Sequence, residues 1–98
     1  MHFVVSWDIS ATGDEWIKIN EEFKMVLKPY SWFRPLKTLY IVHVTSQEIW
    51  GKILAGLQTV GESHLGKVSL LLSPLMQGGH YDGLLDKDSW DKINARSK

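Results

Sequence analysis

The sequence predicts an α+β fold: a four-stranded antiparallel sheet, two helices on one of its faces, and a short C-terminal helix or tail. Three observations predict it. The opening residues alternate at the period of a strand, and two later segments each carry a single apolar stripe at helical spacing. Strand-like and helix-like segments also follow one another as strand, helix, strand or strand pair, helix, strand. A length of 98 residues makes residues 1–98 one domain, since single cores usually organise about 100–150 residues.

The first strand is read from His2-Phe3-Val4-Val5-Ser6-Trp7-Asp8-Ile9. Phe3, Val5, Trp7 and Ile9 share one face, and Val4, Ser6 and Asp8 take the other. Thr12-Gly13-Asp14-Glu15 has the form of a capping box, the Thr12 hydroxyl accepting from a backbone N–H and Glu15 reaching back. A first helix follows, with Trp16, Ile19, Asn20, Phe23, Val26 and Leu27 on its stripe and Pro29 as its stop.

Tyr30 to Pro35 reads as a turn entering an edge strand, where a proline is tolerated. Leu36 to Thr45 alternates as one strand of ten or as two shorter strands hinged near Thr38. Ser46 suits an N-cap, and Ile49, Trp50, Ile53, Leu54, Leu57 and Val60 form the second stripe, ended by Gly61. Lys67 to Ser73 reads as a buried strand closed by Pro74, and Gly78-Gly79-His80 as part of a loop. Asp86-Lys87-Asp88 with Trp90 and Ile93 predicts a short terminal helix.

This order is the β-α-β-β-α-β ferredoxin-like plan. With both helices on one face, Val4, Leu39, Ile41 and Leu71 fall on the other. Burying such residues is worth about 1.5–3 kcal/mol each. That need, with five tryptophans in the chain, predicts a homodimer.

Composition excludes several classes. Lys plus Arg and Asp plus Glu both number 11, so the formal net charge is zero and non-specific nucleic-acid binding by bulk charge has no support. With no cysteine, disulfide staples, thiol catalysis and thiolate metal sites are ruled out. No apolar run has the roughly 18 residues of a membrane span, and the first residues lack the basic start of a signal peptide. The expected setting is cytoplasmic. Charge is nevertheless uneven, net acidic over residues 1–22 and net basic over 23–67.

The chemistry-bearing residues are sparse. Asp8 ends the first strand, as a rim carboxylate or a metal ligand. His2, His43, His64 and His80 have no metal-binding spacing and are expected at the surface or rim; His43 alone could serve as a base or a dimer contact. Trp7, Trp32 and Tyr40 could stack bases, but packing in the core or a dimer interface is the reading preferred. Arg34 and Lys37, flanking Pro35, are the candidate phosphate contacts. Ser6 and Ser73 have no nucleophile-elbow context.

The segments Val4-Val5-Ser6-Trp7-Asp8-Ile9, Trp32-Phe33-Arg34-Pro35-Leu36-Lys37-Thr38-Leu39-Tyr40, Thr45-Ser46, Val68 to Leu72 and Tyr81-Asp82-Gly83-Leu84 together resemble a known family. It is that of the small CRISPR-associated adaptation nucleases and, more closely, their stand-alone SinR-like relatives. The resemblance implies a dimeric ferredoxin-like fold. It also implies that Asp8, one from each subunit, holds magnesium or manganese and activates water against a phosphodiester of DNA or RNA, with Thr38 beside that site. The family's basic residues after the aspartate are missing here, where Ser10 to Glu15 is neutral and then acidic. The competing expectation is a non-catalytic dimeric module that binds protein or nucleic acid.

Overall fold

The computed structural model describes residues 1–77 and 83–96. Gly78, Gly79, His80, Tyr81 and Asp82, which carry one proposed loop and part of one motif, lie outside the described residues. In chain order the elements are β1 (His2–Ile9), α1 (Gly13–Leu27), β2 (Ser31–Leu36), β3 (Leu39–His43), α2 (Gln47–Glu62), β4 (Val68–Leu72) and α3 (Lys87–Arg96). The strands form one antiparallel sheet in the order β2-β3-β1-β4. The result is an α+β fold whose element order is compatible with a ferredoxin-like plan. No helix among the described residues is long and apolar enough to cross a membrane.

Alternation in β1 sorts the two faces of the sheet. Phe3, Val5 and Trp7 are buried with Tyr40, Val42 and Val44 of the β3 segment, Ile19, Phe23 and Leu27 of α1, and Ile53 and Leu57 of α2. Trp7 lies at the centre, stacked on Phe23 and Tyr40 at centroid distances of 4.9 and 4.6 Å. Its indole N–H donates to Asn20 Oδ1 at 3.0 Å, which satisfies the one polar atom that burial would otherwise strand. Trp7 and Tyr40 are therefore core residues, as the preferred reading had them. Leu36 to Thr45 resolves into two strands hinged at Lys37-Thr38.

Several local expectations are corrected. Thr12 is the N-cap of α1 but makes no side-chain capping bond, because Glu15 is engaged by Lys67 instead of reaching back. Ser46 does cap α2, its Oγ accepting from Ile49 N–H at 3.2 Å. Gly61 does not end that helix, which runs on to Glu62. β4 is an edge strand, so Ser69 and Leu71 are exposed and not buried. His2, expected at the surface, is fully buried, its backbone paired with Met76 in both directions at 2.9 and 2.8 Å.

The largest correction concerns the second face. The third helix is a C-terminal element as expected, but it packs on the back of β2 and β3, opposite α1 and α2. Asp86 Oδ1 accepts from Ser89 N–H at 2.7 Å and starts the helix. Lys87–Asp91 and Asp88–Lys92 pairs, each at 3.0 Å, brace its outer side. Ile93 is its buried contact, and Lys92 and Arg96 place their charges over the Phe33 ring at 5.2 and 5.8 Å. Ile41 is thereby buried within the chain itself. Leu71, on the β1–β4 half of the back, stays 76% exposed. The sheet's back is half covered, and only the remainder needs a partner.

Candidate functional site

Asp8 stands at the C-terminal end of β1 on the back face, exposed, in register with Ser69 of β4. Its backbone is held firmly, because Trp7 beside it is locked between Phe23 and Tyr40. The β1–β3 register pairs Ser6 with Leu39. That register carries the two residues of the hairpin turn, Lys37 and Thr38, past the end of the ladder to the level of Trp7 and Asp8. The Ser6 hydroxyl donates to the Thr38 carbonyl and ties the turn down.

Asp8, Lys37 and Thr38 consequently line one cleft of about 230 Å³, with Trp7, Trp16 and Asn20 behind them. A second depression of about 260 Å³ opens on the other side of Asp8, against Ser6, Ser69 and Leu71. The structure thus brings together three of the four residues singled out from the sequence. Arg34 is exposed on β2 and lines neither depression. Trp16 and Asn20 were read only as stripe residues of α1; their position one turn apart, on the side of the helix facing Trp7, was the available signal.

The electrostatics are milder than the acidic run after Asp8 implies. Glu15 is ion-paired to Lys67, and the hydrogen bond and charge of that lysine hold its carboxyl below the ordinary carboxylate range. Lys67 is held in turn by its own backbone, whose carbonyl accepts from Ser10 N–H at 2.6 Å. One of the two acidic groups in the first turn of α1 is therefore offset locally. Lys37 adds a cation at the cleft itself.

Asp8 is the only carboxylate lining the cleft. Among the described residues no group of three or more His, Asp or Glu could hold a metal. One protomer therefore supplies a single anionic donor, with neutral oxygens from Thr38, Ser6 and Ser69 nearby. Magnesium is commonly held by one or two carboxylates with the remaining positions filled by water and substrate phosphate, and Asp8 meets that minimum. His43, on β3, is half-buried and pairs with His2 and Ser31 in the sheet, away from Asp8. His64 lies 2.7 Å from Glu22, joining the turn after α2 to α1. Compared with protein-family models and with curated proteins, the chain matches none.

Proposed function

We propose that the protein is a ferredoxin-like homodimer of the CRISPR-adaptation nuclease and SinR-like kind, whose Asp8 cleft engages the phosphodiester backbone of DNA or RNA through magnesium or manganese. The ferredoxin-like reading is supported by the sheet order. β1 and β2 run parallel with β3 between them, and β3 and β4 run parallel with β1 between them, so each βαβ unit is split by a strand of the other.

The observation that carries the function is the convergence of Asp8, Lys37 and Thr38 on one open cleft beside the uncovered half of the sheet. Asp8 would hold the cation together with substrate phosphate oxygens. A cation so placed supplies a Lewis acid at the phosphoryl oxygen and a more acidic bound water. Lys37 offsets phosphate charge at the cleft, and Arg34, farther along the edge strand, suits a neighbouring phosphate. The test is cleavage of labelled single- and double-stranded DNA and RNA with manganese, magnesium or chelator. Metal-dependent cutting that Asp8→Asn abolishes supports the reading. Cutting that survives the substitution removes Asp8 from it.

A second reading, a non-catalytic dimeric module that binds nucleic acid or protein, is favoured by the lone carboxylate and by Asp14 and Glu15 near the cleft. Binding that persists undiminished in chelator, with no product formed, selects it.

A further inference from the structure

The two edges of the sheet are unlike. β2, one edge, carries Arg34 and Pro35 and a register irregularity between Phe33 and Leu36, the devices that keep an edge strand from pairing with another chain. β4, the other edge, has none of them. Its five residues, Val68-Ser69-Leu70-Leu71-Leu72, contain no charge and no proline, and pair with β1 in unbroken register. The cation just before it, Lys67, is engaged by Glu15 of the same chain.

The hydrogen-bond phase of β4 can be read from its flanks. Ser73 N–H donates to the Val4 carbonyl and Ser10 N–H to the Lys67 carbonyl. By the two-residue alternation of an antiparallel ladder, Ser69 and Leu71 face β1, whereas the N–H and C=O groups of Val68, Leu70 and Leu72 point outward. Beside this edge, between β4 and α2, runs a groove of about 430 Å³. Trp50, Leu54, Leu65 and Leu70 are among its apolar residues, and Gln58 and Glu62 among its polar ones.

We propose that β4 pairs antiparallel with β4 of a second copy of this chain, the two-fold axis passing through Leu70. The inference rests on the dimeric reading above and specifies its interface. In that pairing Leu70 faces Leu70 and Val68 faces Leu72, and every outward N–H and C=O of the strand meets its complement. A second copy is selected as the occupant because a strand that meets itself brings each charge against its own kind; β4 has none to bring. A five-residue strand pair alone is short of the roughly 800 Å² per partner in a stable interface, and the α2 groove supplies further apolar surface from each copy. The geometry also separates the active clefts. The two Asp8 residues would lie three strand spacings apart, about 14 Å at roughly 4.8 Å per spacing, so each would serve its own phosphate and no cation would be shared.

The test uses the full chain, which has no cysteine of its own. Leu70→Cys places two thiols at the symmetry axis with Cα atoms about 5.5 Å apart, within disulfide reach. Mild oxidation is expected to yield a covalent dimer, whereas Met25→Cys, exposed on α1, yields none under the same conditions. Leu70→Lys and Leu70→Glu are each expected to weaken dimerisation roughly tenfold or more by like-charge contact and lost burial. Mixing the two is expected to restore it. If the wild-type chain is monomeric by light scattering at micromolar concentration, the dimeric reading fails and this inference with it. If it is dimeric but Leu70→Cys does not cross-link and the charged variants dimerise unchanged, the dimer stands and the β4 interface is overturned.

Discussion

The Ser6 hydroxyl donates to the main-chain carbonyl of Thr38, thirty-two residues away, and this bond joins the central strand to the β2–β3 turn. Its effect is to hold Lys37 and Thr38 over the end of β1, where Asp8 emerges. Ser6→Ala is expected to cost about 1 kcal/mol of stability. The more telling readout is local: amide exchange at Thr38 and Leu39 should quicken while the centre of β1 is unchanged, and affinity for a phosphodiester ligand should fall. An unchanged exchange rate at the turn would show that the register alone positions it.

Acid sensitivity is expected from His2. Burial, the nearby chain terminus and His43 all hold its imidazole below the ordinary 6.5. The unfolded chain therefore takes up a proton near pH 6.5 that the folded one resists, so the unfolded state binds more protons below that pH. The contribution is fully present above pH 6.5 and is lost as pH falls toward the folded-state value. Denaturant titrations at pH 7.5, 6 and 5 should show a decline in unfolding free energy that His2→Gln makes shallower.

The two glycines of α2 should respond in opposite directions to the same change. A Cβ at Gly56 would lie 2.9 Å from Val26 Cγ1 on α1, and Val26 is stiff at χ1 within its helix and cannot turn aside. Gly56→Ala is expected to lose about 1 kcal/mol after the gain in helix propensity is counted. Gly51 has no atom within 4 Å of that position, and Gly51→Ala should gain about 0.5–1 kcal/mol. Thermal melts of the two variants measure the difference directly.

The α3 cover should be separable from the main core. Ile93→Ala removes its one buried residue and is expected to cost about 2–4 kcal/mol. The loss should fall on the back of the sheet: fluorescence of a hydrophobic dye should rise and Trp90 emission should shift red. The Trp7–Phe23–Tyr40 stack should keep its near-ultraviolet circular dichroism.

What was legible in the sequence was what depends on short spacing. The alternation of Phe3, Val5, Trp7 and Ile9, the stripe of α2 and the Ser46 cap all follow from neighbours within a few residues. What was not legible depends on contacts across the chain. The Thr12–Glu15 capping box was broken by Lys67, fifty-two residues on. His2 was buried by pairing with Met76. The back-face position of α3 was hidden because a segment with only Trp90 and Ile93 as apolar markers does not say which face it seeks. The cleft lies between these cases. Asp8 could be singled out at a strand end, but its meeting with Lys37 needed the β1–β3 register, which no local pattern encodes.

The placement of α3 has a kinetic consequence. All four strands and the two larger helices close around Trp7 without it, and its own contacts reach back to β2 and β3, as where Arg96 donates to the Trp32 carbonyl at 3.4 Å. Closing so long a loop late favours a two-step assembly. In native-state exchange it would be the first unit to open, leaving the sheet's rear momentarily unshielded while the remainder stays folded.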